Sequence, residues 1–199
     1  MKKIVIATKN PGKLLEYKAL LEPFGYEVYS LLDYGHLKEP KERGKTFLHN
    51  AMLKAKKIAR KCHLPVIADD SGLEVRALGG KPGVRSKRFS KEQTDIANNL
   101  KLLKMMIRQS DRHARFVCQI VYYDPNSGYE SFDGVVDGEI ASDLIYGNGF
   151  GYDPLFIVSG LGIRMSELKI EEKNKISHRG LAFQKLKDKL ERSDEIHSF

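Results

Sequence analysis

A short apolar run that ends in two adjacent carboxylates constrains the fold of this chain most. Val66, Ile67 and Ala68 are typical of a buried strand, and Asp69 and Asp70 follow them directly. Aspartate is costly to bury unless it is paired or bound to a cation, and open α/β sheets place ligand sites beyond the carboxyl ends of their strands. The stretch therefore predicts a metal or acid–base site at a strand end. The alternative, which the residue types favour when taken alone, is an Asp-Asp-Ser-Gly turn between two strands.

The first part of the chain combines a strand pattern with a helix pattern. Residues 4–7 predict a buried strand, and a helical pattern begins near Lys13 and ends at Pro23. A strand, a polar loop containing Gly12 and a helix start can together hold an anion, because free helix-terminal amides point at the ligand. The loop lacks the second glycine and the Lys-Ser/Thr pair of a Walker A motif, so a phosphate site and an ordinary turn both stay open.

A second helix is predicted after a polar loop over residues 31–46 that carries Glu42. Taken alone, Glu42 is most simply a solvated loop carboxylate. Thr46 is a typical N-cap, and Asn50 is placed where it could turn inward. The apolar face of this helix consists of Phe47, Ala51, Ala55, Ile58 and Cys62.

The middle of the chain predicts a strand, a helix and a hairpin. Residues 73–78 alternate as in a strand, and residues 92–109 predict a helix. Residues 115–123 and 129–140 predict a β-hairpin, which after a βαβ-like first half indicates a mixed sheet or a second lobe. The apolar stripe of the helix, interpreted as core, consists of Ile96, Leu100, Leu103 and Ile107.

Two later segments have the residue types of a ligand site. Residues 147–154 contain three glycines, two aromatics and a carboxylate, which suits close approach to a ligand and stacking on a base. A flexible loop whose aromatics pack onto the core is the alternative. Ser177 is predicted as an N-cap, which places His178 and Arg179 in a first helical turn, where cations oppose the helix dipole. That placement suggests a bound anion or hydrogen-bonding ligand, and a charged helix start on the surface is the alternative.

Composition limits the class of protein. The chain has 199 residues, enough for one domain or one domain with two lobes, and its 34 Lys and Arg against 26 Asp and Glu give a net charge of +8. Such an excess suits nucleic acid or nucleoside phosphates, although the basic residues are scattered along the sequence and a solvated surface explains them equally well. Cys62 and Cys118 form no disulfide framework or metal spacing, and no apolar run approaches membrane-spanning length. We expect a cytoplasmic protein that does not bind membranes.

Six motifs follow one another over nearly the whole chain and resemble a known family. They occupy residues 7–13, 42–47, 68–75, 78–84, 149–156 and 173–180. In this order and spacing they resemble the inosine triphosphate pyrophosphatase-like family, the non-canonical purine nucleoside triphosphate (XTP/dITP) diphosphatases. The resemblance implies an α/β fold with an elongated mixed β-sheet flanked by helices. It also implies a single domain over residues 1–199, with two lobes and the active site in the cleft between them.

The resemblance implies a reaction as well. It is the Mg²⁺-dependent hydrolysis of inosine, deoxyinosine and xanthosine triphosphates to the monophosphate and pyrophosphate, which cleanses the nucleotide pool. The partners are then a small nucleoside triphosphate and a second copy of the chain in a homodimer, with no stable nucleic acid. One alternative is a related pyrophosphatase that prefers pyrimidine or modified bases. Another is a non-catalytic basic nucleic-acid-binding protein, which the carboxylate pair argues against.

The family's functional residues carry over to matching positions of this chain. Those implied to hold the triphosphate are Thr8, Asn10 and Lys13, of which Lys13 also stabilises charge on the phosphates. Those implied to bind Mg²⁺ are Glu42 and Asp70, of which Asp70 is also the general base. Asp69 is implied to support them, and Ser71 to contact substrate. The implied wall for base and sugar is formed by Phe150, Gly151, Tyr152 and Asp153. The residues implied to face the purine are Lys173, His178 and Arg179.

These residue types suit the chemistry. Mg²⁺ prefers one or two carboxylates with waters and substrate phosphates, and a donor such as Lys173 or Arg179 can satisfy the C6 oxygen of inosine and xanthosine. Adenine presents an amino group there and leaves such a donor unpaired. The chain departs from the family pattern at four positions, Lys41, His49, Arg85 and Lys87. These departures leave Glu42 and Asp70 in place, so we expect activity to be kept, with substrate entry, dimer contacts or substrate range as the properties that could change.

Overall fold

The computed structural model of the chain describes the backbone of residues 2–196 and the side chains through Glu191. The strands of this part are β1 (Lys2–Ile6), β2 (Tyr26–Ser30), β3 (Val66–Val75), β4 (Lys81–Pro82), β5 (His113–Asp124), β6 (Gly128–Ile140) and β7 (Phe156–Val158). The α-helices are α1 (Pro11–Leu21), α2 (Phe47–Cys62), α3 (Asp95–Met106), α4 (Ile170–Ile176) and α5 (His178–Ile196). No helix in the described part is long and apolar enough to cross a bilayer.

The strands form one mixed sheet in the order β2-β1-β3-β5-β6-β7, with β4 beside β3. β1 is parallel to β2 and to β3, with Ile4 opposite Val28 and Ile6 opposite Ile67. β4 is antiparallel to β3, and β7 is antiparallel to β6. The mixed α/β architecture that the resemblance implied is therefore confirmed, and the predicted hairpin corresponds to the neighbouring strands β5 and β6.

The chain divides into two compact units. Unit 1 contains the residues up to Asp70, Cys118–Gly134 and the residues from Arg179 onward, and unit 2 contains Ser71–Val117 and Val135–His178. Three strands, β3, β5 and β6, have residues in both units. The chain thus crosses between the units three times within strands of the sheet and a fourth time between His178 and Arg179, at the start of α5.

Unit 1 has an apolar cluster on each face of its part of the sheet. Alternation along β1 directs Ile4 and Ile6 to the cluster formed with α1 and α5, while Val5 and Ala7 pack with α2. All four residues are almost fully buried. Burial on both faces explains why these strands are nearly continuous apolar runs rather than alternating ones. The cluster on the α1 and α5 side includes Tyr17, Leu21, Phe183 and Leu186.

Unit 2 has one apolar cluster, and it corrects the prediction for α3. The buried side of α3 carries Leu102 and Met106 together with two asparagines, Asn98 and Asn99. The stripe predicted as core is wrong, because Ile96, Leu100 and Ile107 are 59%, 54% and 77% exposed and only Leu103 is partly buried against the cluster. The helix is also shorter than residues 92–109, since Thr94 caps it and Met106 is its last residue.

β3 corrects the interpretation of the opening motif. It runs unbroken from Val66 to Val75, so the alternative of an Asp-Asp-Ser-Gly turn is wrong, and the two carboxylates lie within the strand rather than at the strand end where the site was predicted. The predicted strand over residues 73–78 is replaced beyond Val75 by a 3-10 turn, Arg76–Leu78. The strand continues through two buried aspartates because both carboxylates have partners, which are described below.

The predicted start of α2 is confirmed. Thr46 precedes the helix, and its hydroxyl accepts a hydrogen bond from the His49 amide at 3.2 Å. Asn50 turns inward and is fully buried, as expected from its place on the helix. α5 likewise begins at His178, directly after Ser177.

Candidate active site

Asp69 and Asp70 lie next to each other in β3 and face opposite sides of the sheet. Side chains alternate along a strand, so Asp69 meets groups from α1 and α5, whereas Asp70 meets groups from α2. Both are buried, with 3% and 4% of their surface exposed. The two adjacent carboxylates therefore sit in separate environments.

Asp69 is held between two cations. Lys13 Nζ donates to Asp69 Oδ2 at 2.8 Å and Arg179 Nη2 donates to the same oxygen at 3.0 Å. Arg179 also forms an ion pair with Glu16, and its side chain is only 1% exposed. Burial by itself would raise the pKa of Asp69, but the charges of Lys13, Arg179 and Lys54 lower that pKa far below its ordinary value. Asp69 consequently stays ionised and fixes the positions of the two cations.

Asp70 has a different set of neighbours and the opposite pKa shift. Asn50 Nδ2 donates to Asp70 Oδ2 at 2.8 Å, while Asn50 Oδ1 accepts from the Gly44 amide at 2.7 Å. Burial raises the pKa of Asp70 and the nearby charge of Glu42 raises it further, against the opposing effects of Lys54, Lys13 and the Asn50 hydrogen bond. Asp70 therefore accepts a proton more readily than an ordinary aspartate does.

Gly44 is a required glycine in this arrangement. A Cβ at position 44 would lie 2.6 Å from Asn50 Oδ1 and 2.7 Å from the His49 ring. The close approach lets the Gly44 amide bind the Asn50 oxygen, which leaves the Asn50 amino group directed at Asp70. The orientation of the Asn50 amide is thus set by the backbone of the loop.

Lys54 is a functional candidate that the sequence reasoning missed. It is 3% exposed, and its Nζ donates to Glu42 Oε1 at 2.9 Å and to the carbonyl oxygen of Asp69. Burial opposes its charge, but Glu42, Asp70 and Asp69 raise its pKa above the ordinary value. The available signal was a lysine within the apolar face of α2, one helical turn after Asn50.

Glu42 and Asp70 are a donor set that suits Mg²⁺. The charge of Glu42 is one of the factors that raise the pKa of Asp70, so the two carboxylates repel each other and a divalent cation would stabilise both in the ionised form. Among the described residues there is no group of three or more His, Cys, Asp or Glu side chains placed to hold a metal. Two carboxylates with waters and phosphate oxygens are a typical Mg²⁺ environment, so these residues fit that ion.

Thr8, Asn10 and Lys13 come together at the start of α1. Asn10 caps the helix by accepting from the Lys13 amide at 3.1 Å, and the Asn10 amide donates to Thr8 Oγ1 at 3.1 Å. Lys13 is 15% exposed and extends from the first turn to Asp69. The predicted triphosphate-binding residues of this loop are therefore close to one another and to the carboxylates of unit 1.

The glycine-rich segment of unit 2 is folded around Asp153. Lys173 Nζ donates to Asp153 Oδ2 at 2.6 Å, and the Phe150 amide donates to the same oxygen at 2.8 Å. Lys173 Nζ also lies 4.6 Å from the centroid of the Phe150 ring. Gly149 has a φ of +93°, and a Cβ there would lie 2.2 Å from Asp153 Oδ2, so only glycine allows the carboxylate this close. Lys173 and Asp153 are a buried ion pair under a half-buried aromatic ring.

Two side chains of α3 bind the backbone amide and the backbone carbonyl of Gly151. The Gly151 amide donates to Asp95 Oδ2 at 2.7 Å, and Asn99 Nδ2 donates to the Gly151 carbonyl oxygen at 2.8 Å. The neighbouring Tyr152 is 4% exposed, and its hydroxyl donates to the Ser86 carbonyl at 2.8 Å. Tyr152 packs into the core as the flexible-loop alternative expected, but the segment is anchored on both sides rather than loose.

The three remaining candidate residues, His178, Ser71 and Arg179, are buried or half-buried. His178 is 5% exposed and stacks on Phe116, with ring centroids 4.7 Å apart and planes at 14°. Ser71 is half-buried in β3 after Asp70. The guanidinium of Arg179 is directed at Asp69 and Glu16, so the structure joins it to the carboxylates of unit 1 rather than leaving it exposed to face a base.

Comparison with known proteins gives the family. A model of the Ham1 family matches residues 4–189. The chain belongs to the Ham1 family. Its relatives include a protein of Bacillus licheniformis named dITP/XTP pyrophosphatase, 49% identical over 94% of this chain and 96% of the relative. A Bacillus subtilis protein of the same name is 46% identical over 96% of this chain and 98% of that protein. The family resemblance drawn from the six motifs is thereby confirmed.

Solved structures of similar sequence have the same fold. The Ham1 protein of Staphylococcus aureus matches with a TM-score of 0.85 and 41% identity, over 96% of this chain and 100% of that one. A nucleoside-triphosphatase, or dITP/XTP pyrophosphatase, of Mycobacterium abscessus matches with a TM-score of 0.72 and 40% identity, over 92% of this chain and 98% of that one.

Proposed function

We propose that the chain is a Mg²⁺-dependent pyrophosphatase that hydrolyses inosine, deoxyinosine and xanthosine triphosphates to the monophosphate and pyrophosphate. The observation that carries this proposal is the cluster at β3, where Asp70 has a raised pKa beside Glu42 while Lys13 and Lys54 lie close by. Such a cluster suits the hydrolysis of a phosphoanhydride at a divalent cation. The names of the Ham1 relatives support the choice of substrate.

Thr8, Asn10 and Lys13 would bind the phosphates. Lys13 is held by Asp69 at a helix start, where free amides and a cation together favour an anion. When phosphate oxygens arrive, the ammonium of Lys13 can contact them and stabilise the charge that develops there. Asp69 would then act by keeping Lys13 in place, which agrees with the supporting role implied for it.

Glu42 and Asp70 would hold Mg²⁺, and Asp70 would accept the proton of the attacking water. A bound Mg²⁺ supplies neutralisation of the phosphate charge and orientation of the water. The raised pKa of Asp70 suits a general base, because a base works best when its pKa lies nearer the working pH. Asn50 orients the carboxylate through its hydrogen bond to Oδ2.

Unit 2 would recognise the base. Lys173 is a donor held in position by Asp153, and a purine with an oxygen at C6 offers it an acceptor. Phe150 offers a ring for stacking, Gly151 and Tyr152 shape the wall, and His178 and Ser71 supply further polar contacts. We reassign Arg179, because its guanidinium is already engaged by two buried carboxylates, to positioning Asp69.

The proposal is tested by measuring pyrophosphate release with and without Mg²⁺ from inosine, xanthosine, guanosine, adenosine and pyrimidine triphosphates. The Asp70→Asn variant should lose at least about 100-fold in kcat, since it loses the base and one metal carboxylate. Asp133→Asn, at an exposed carboxylate of unit 1, is the control and should keep the wild-type rate. Wild-type protein that leaves inosine triphosphate intact, or an Asp70→Asn variant that matches it, would contradict the proposal.

We also propose that the chain is a single domain that forms a homodimer, as the resemblance implies. Sedimentation equilibrium over a tenfold range of protein concentration is the measurement. A monomer at every concentration would contradict the dimer without affecting the proposed reaction.

A further inference from the structure

A strongly basic groove lies on the side of α2 that faces away from the carboxylates. The groove has a volume of about 920 Å³ and is formed by the outer face of α2 and the loop over residues 38–43. Its cations are Lys38, Lys41, Arg43, Lys56, Lys57, Arg60 and Lys61. The one carboxylate among the lining residues is Glu39. The net charge of the lining is therefore +6 in a chain whose total is +8, and all seven cations come from residues 38–61, so the basic excess is concentrated in one segment of the chain.

These cations lack counter-charges within the part of the chain that the structure describes. All seven are exposed, and none of their side chains is in an ion pair or hydrogen bond with a described residue. The cations of the nearby site are paired, as Lys13 is with Asp69 and Lys54 is with Glu42. Seven unpaired cations in one concavity repel one another and favour an anionic ligand.

The spacing of the cations indicates a densely charged ligand. Lys56, Lys57, Arg60 and Lys61 fall within six consecutive residues of helix, which rise by about 8 Å along the helix axis. The loop faces them with three more cations across the groove. Phosphates joined directly through shared oxygens match this density, whereas the phosphates of a nucleic acid are separated by sugars. The lining also contains no aromatic residue, so it offers no surface on which bases could stack.

The groove and the carboxylate cluster share structural elements. In the loop, Lys41 and Arg43 line the groove, while Glu42 between them pairs with Lys54. In α2, Lys54 and Asn50 face the carboxylates and Lys57 and Arg60 face the groove. A ligand that draws Lys41 and Arg43 toward itself would thus act on the backbone on either side of Glu42.

We propose that this groove binds a condensed phosphate chain, such as inorganic tripolyphosphate, at a site separate from the carboxylate cluster. The proposal does not depend on the proposed function, because it concerns binding at residues to which no role in hydrolysis is given. Binding should be dominated by charge and should weaken steeply with salt.

The test is calorimetric titration of the full chain with inorganic tripolyphosphate in Mg²⁺-free buffer at several salt concentrations. The groove variant combines Lys56→Gln, Lys57→Gln and Arg60→Gln, all exposed and replaced by a residue of similar helix propensity. The charge-matched control combines Lys91→Gln, Lys104→Gln and Arg108→Gln, which are exposed positions in unit 2. A third variant, Lys13→Gln, removes the lysine proposed to bind substrate phosphates.

The groove variant should bind tripolyphosphate at least about tenfold more weakly, and its slope of log affinity against log salt should fall by about 2. The control and Lys13→Gln variants should keep this binding. An equal loss in the control would show a general charge effect, and a loss only in Lys13→Gln would place the ligand at the carboxylate cluster. Oligothymidylate with the same number of phosphates should bind more weakly than tripolyphosphate. The proposal is overturned if the groove variant binds tripolyphosphate as tightly as wild type, if the control loses as much affinity as the groove variant, if only Lys13→Gln loses affinity, or if oligothymidylate binds as tightly as tripolyphosphate. None of these outcomes bears on pyrophosphate release.

Discussion

Lys54 is a buried cation that compensates the negative charge of the carboxylates around it in unit 1. It compensates Glu42 directly, contacts the backbone of Asp69, and is close enough to Asp70 to lower that residue's pKa. Removing one member of a buried charge group leaves the others without compensation, which costs far more than losing an exposed pair.

We predict that Lys54→Met destabilises the protein by about 2–4 kcal/mol, because Glu42 and Asp70 are left facing each other in a poorly solvated site. Urea unfolding at neutral pH measures the change. Lys56→Met, at an exposed position of the same helix, is the matched control and should lie within about 0.5 kcal/mol of wild type. Adding Glu42→Gln to Lys54→Met should restore part of the loss. A double variant no more stable than Lys54→Met would rule out this cause.

For single residues, the sequence predicts the roles that depend on position within one helix and misses contacts between segments that are far apart in the chain. Thr46 as a cap and Asn50 as an inward residue follow from their places in one helix, and both are confirmed. Arg179 is different, since its partner Asp69 is 110 residues away in the sequence. No periodicity or spacing could show that its guanidinium is used by buried carboxylates.

α3 is the element that anchors the glycine-rich segment of unit 2. Its buried side carries Asn98, which bonds the Ser90 amide and the Lys87 carbonyl, and Asn99, which bonds Gly151. This also explains why the predicted core stripe was wrong. Hydrophobic periodicity assigns the apolar side of a helix to the core, but here much of the buried side binds loop backbone through amide side chains.

Asn99→Leu should loosen the segment that is proposed to hold the base. The Gly151 carbonyl loses its donor, which should cost about 1–3 kcal/mol in unfolding free energy. Because the affected segment is proposed to bind rather than to react, KM for inosine triphosphate should rise about tenfold while kcat changes much less. Lys104→Gln on the exposed side of α3 should leave both constants unchanged. A fall in kcat with KM unchanged would exclude this role for Asn99.

Across the whole molecule, the three strands with residues in both units bear on how the protein unfolds. β3, β5 and β6 each run from one unit into the other without a break. A strand cannot lose half of its ladder without exposing unpaired backbone groups, so we expect the units to unfold together.

Leu155→Ala tests this expectation. Leu155 is fully buried in the core of unit 2, and its truncation should cost about 2–5 kcal/mol. Native-state hydrogen exchange should then show the same loss of protection for the slowest amides of β1, in unit 1, as for those of α3, in unit 2. Protection lost in unit 2 alone would show that the units open independently.

The architecture of the sheet was predictable in part. The strand patterns, the hairpin and the family resemblance give a mixed sheet, which is confirmed. The unbroken course of β3 through Asp69 and Asp70 was not predictable, because carboxylates and glycine are typical of turns. Partners brought from three helices, Lys13, Arg179 and Asn50, compensate the two carboxylates and allow a strand there.

The ion pairs of unit 1 bear on whether the protein needs a bound metal ion in order to fold. Lys13 and Arg179 pair with Asp69, and Lys54 pairs with Glu42, so these carboxylates are compensated by the chain itself. Proteins whose structural metal supplies the folding free energy collapse when a chelator removes it. Because these carboxylates are compensated by side chains of the chain itself, we expect the protein to fold without a bound ion. Under the proposed function, chelation should stop pyrophosphate release while lowering the melting temperature only by the small amount that Mg²⁺ binding contributes, and returning Mg²⁺ should restore activity without a refolding delay.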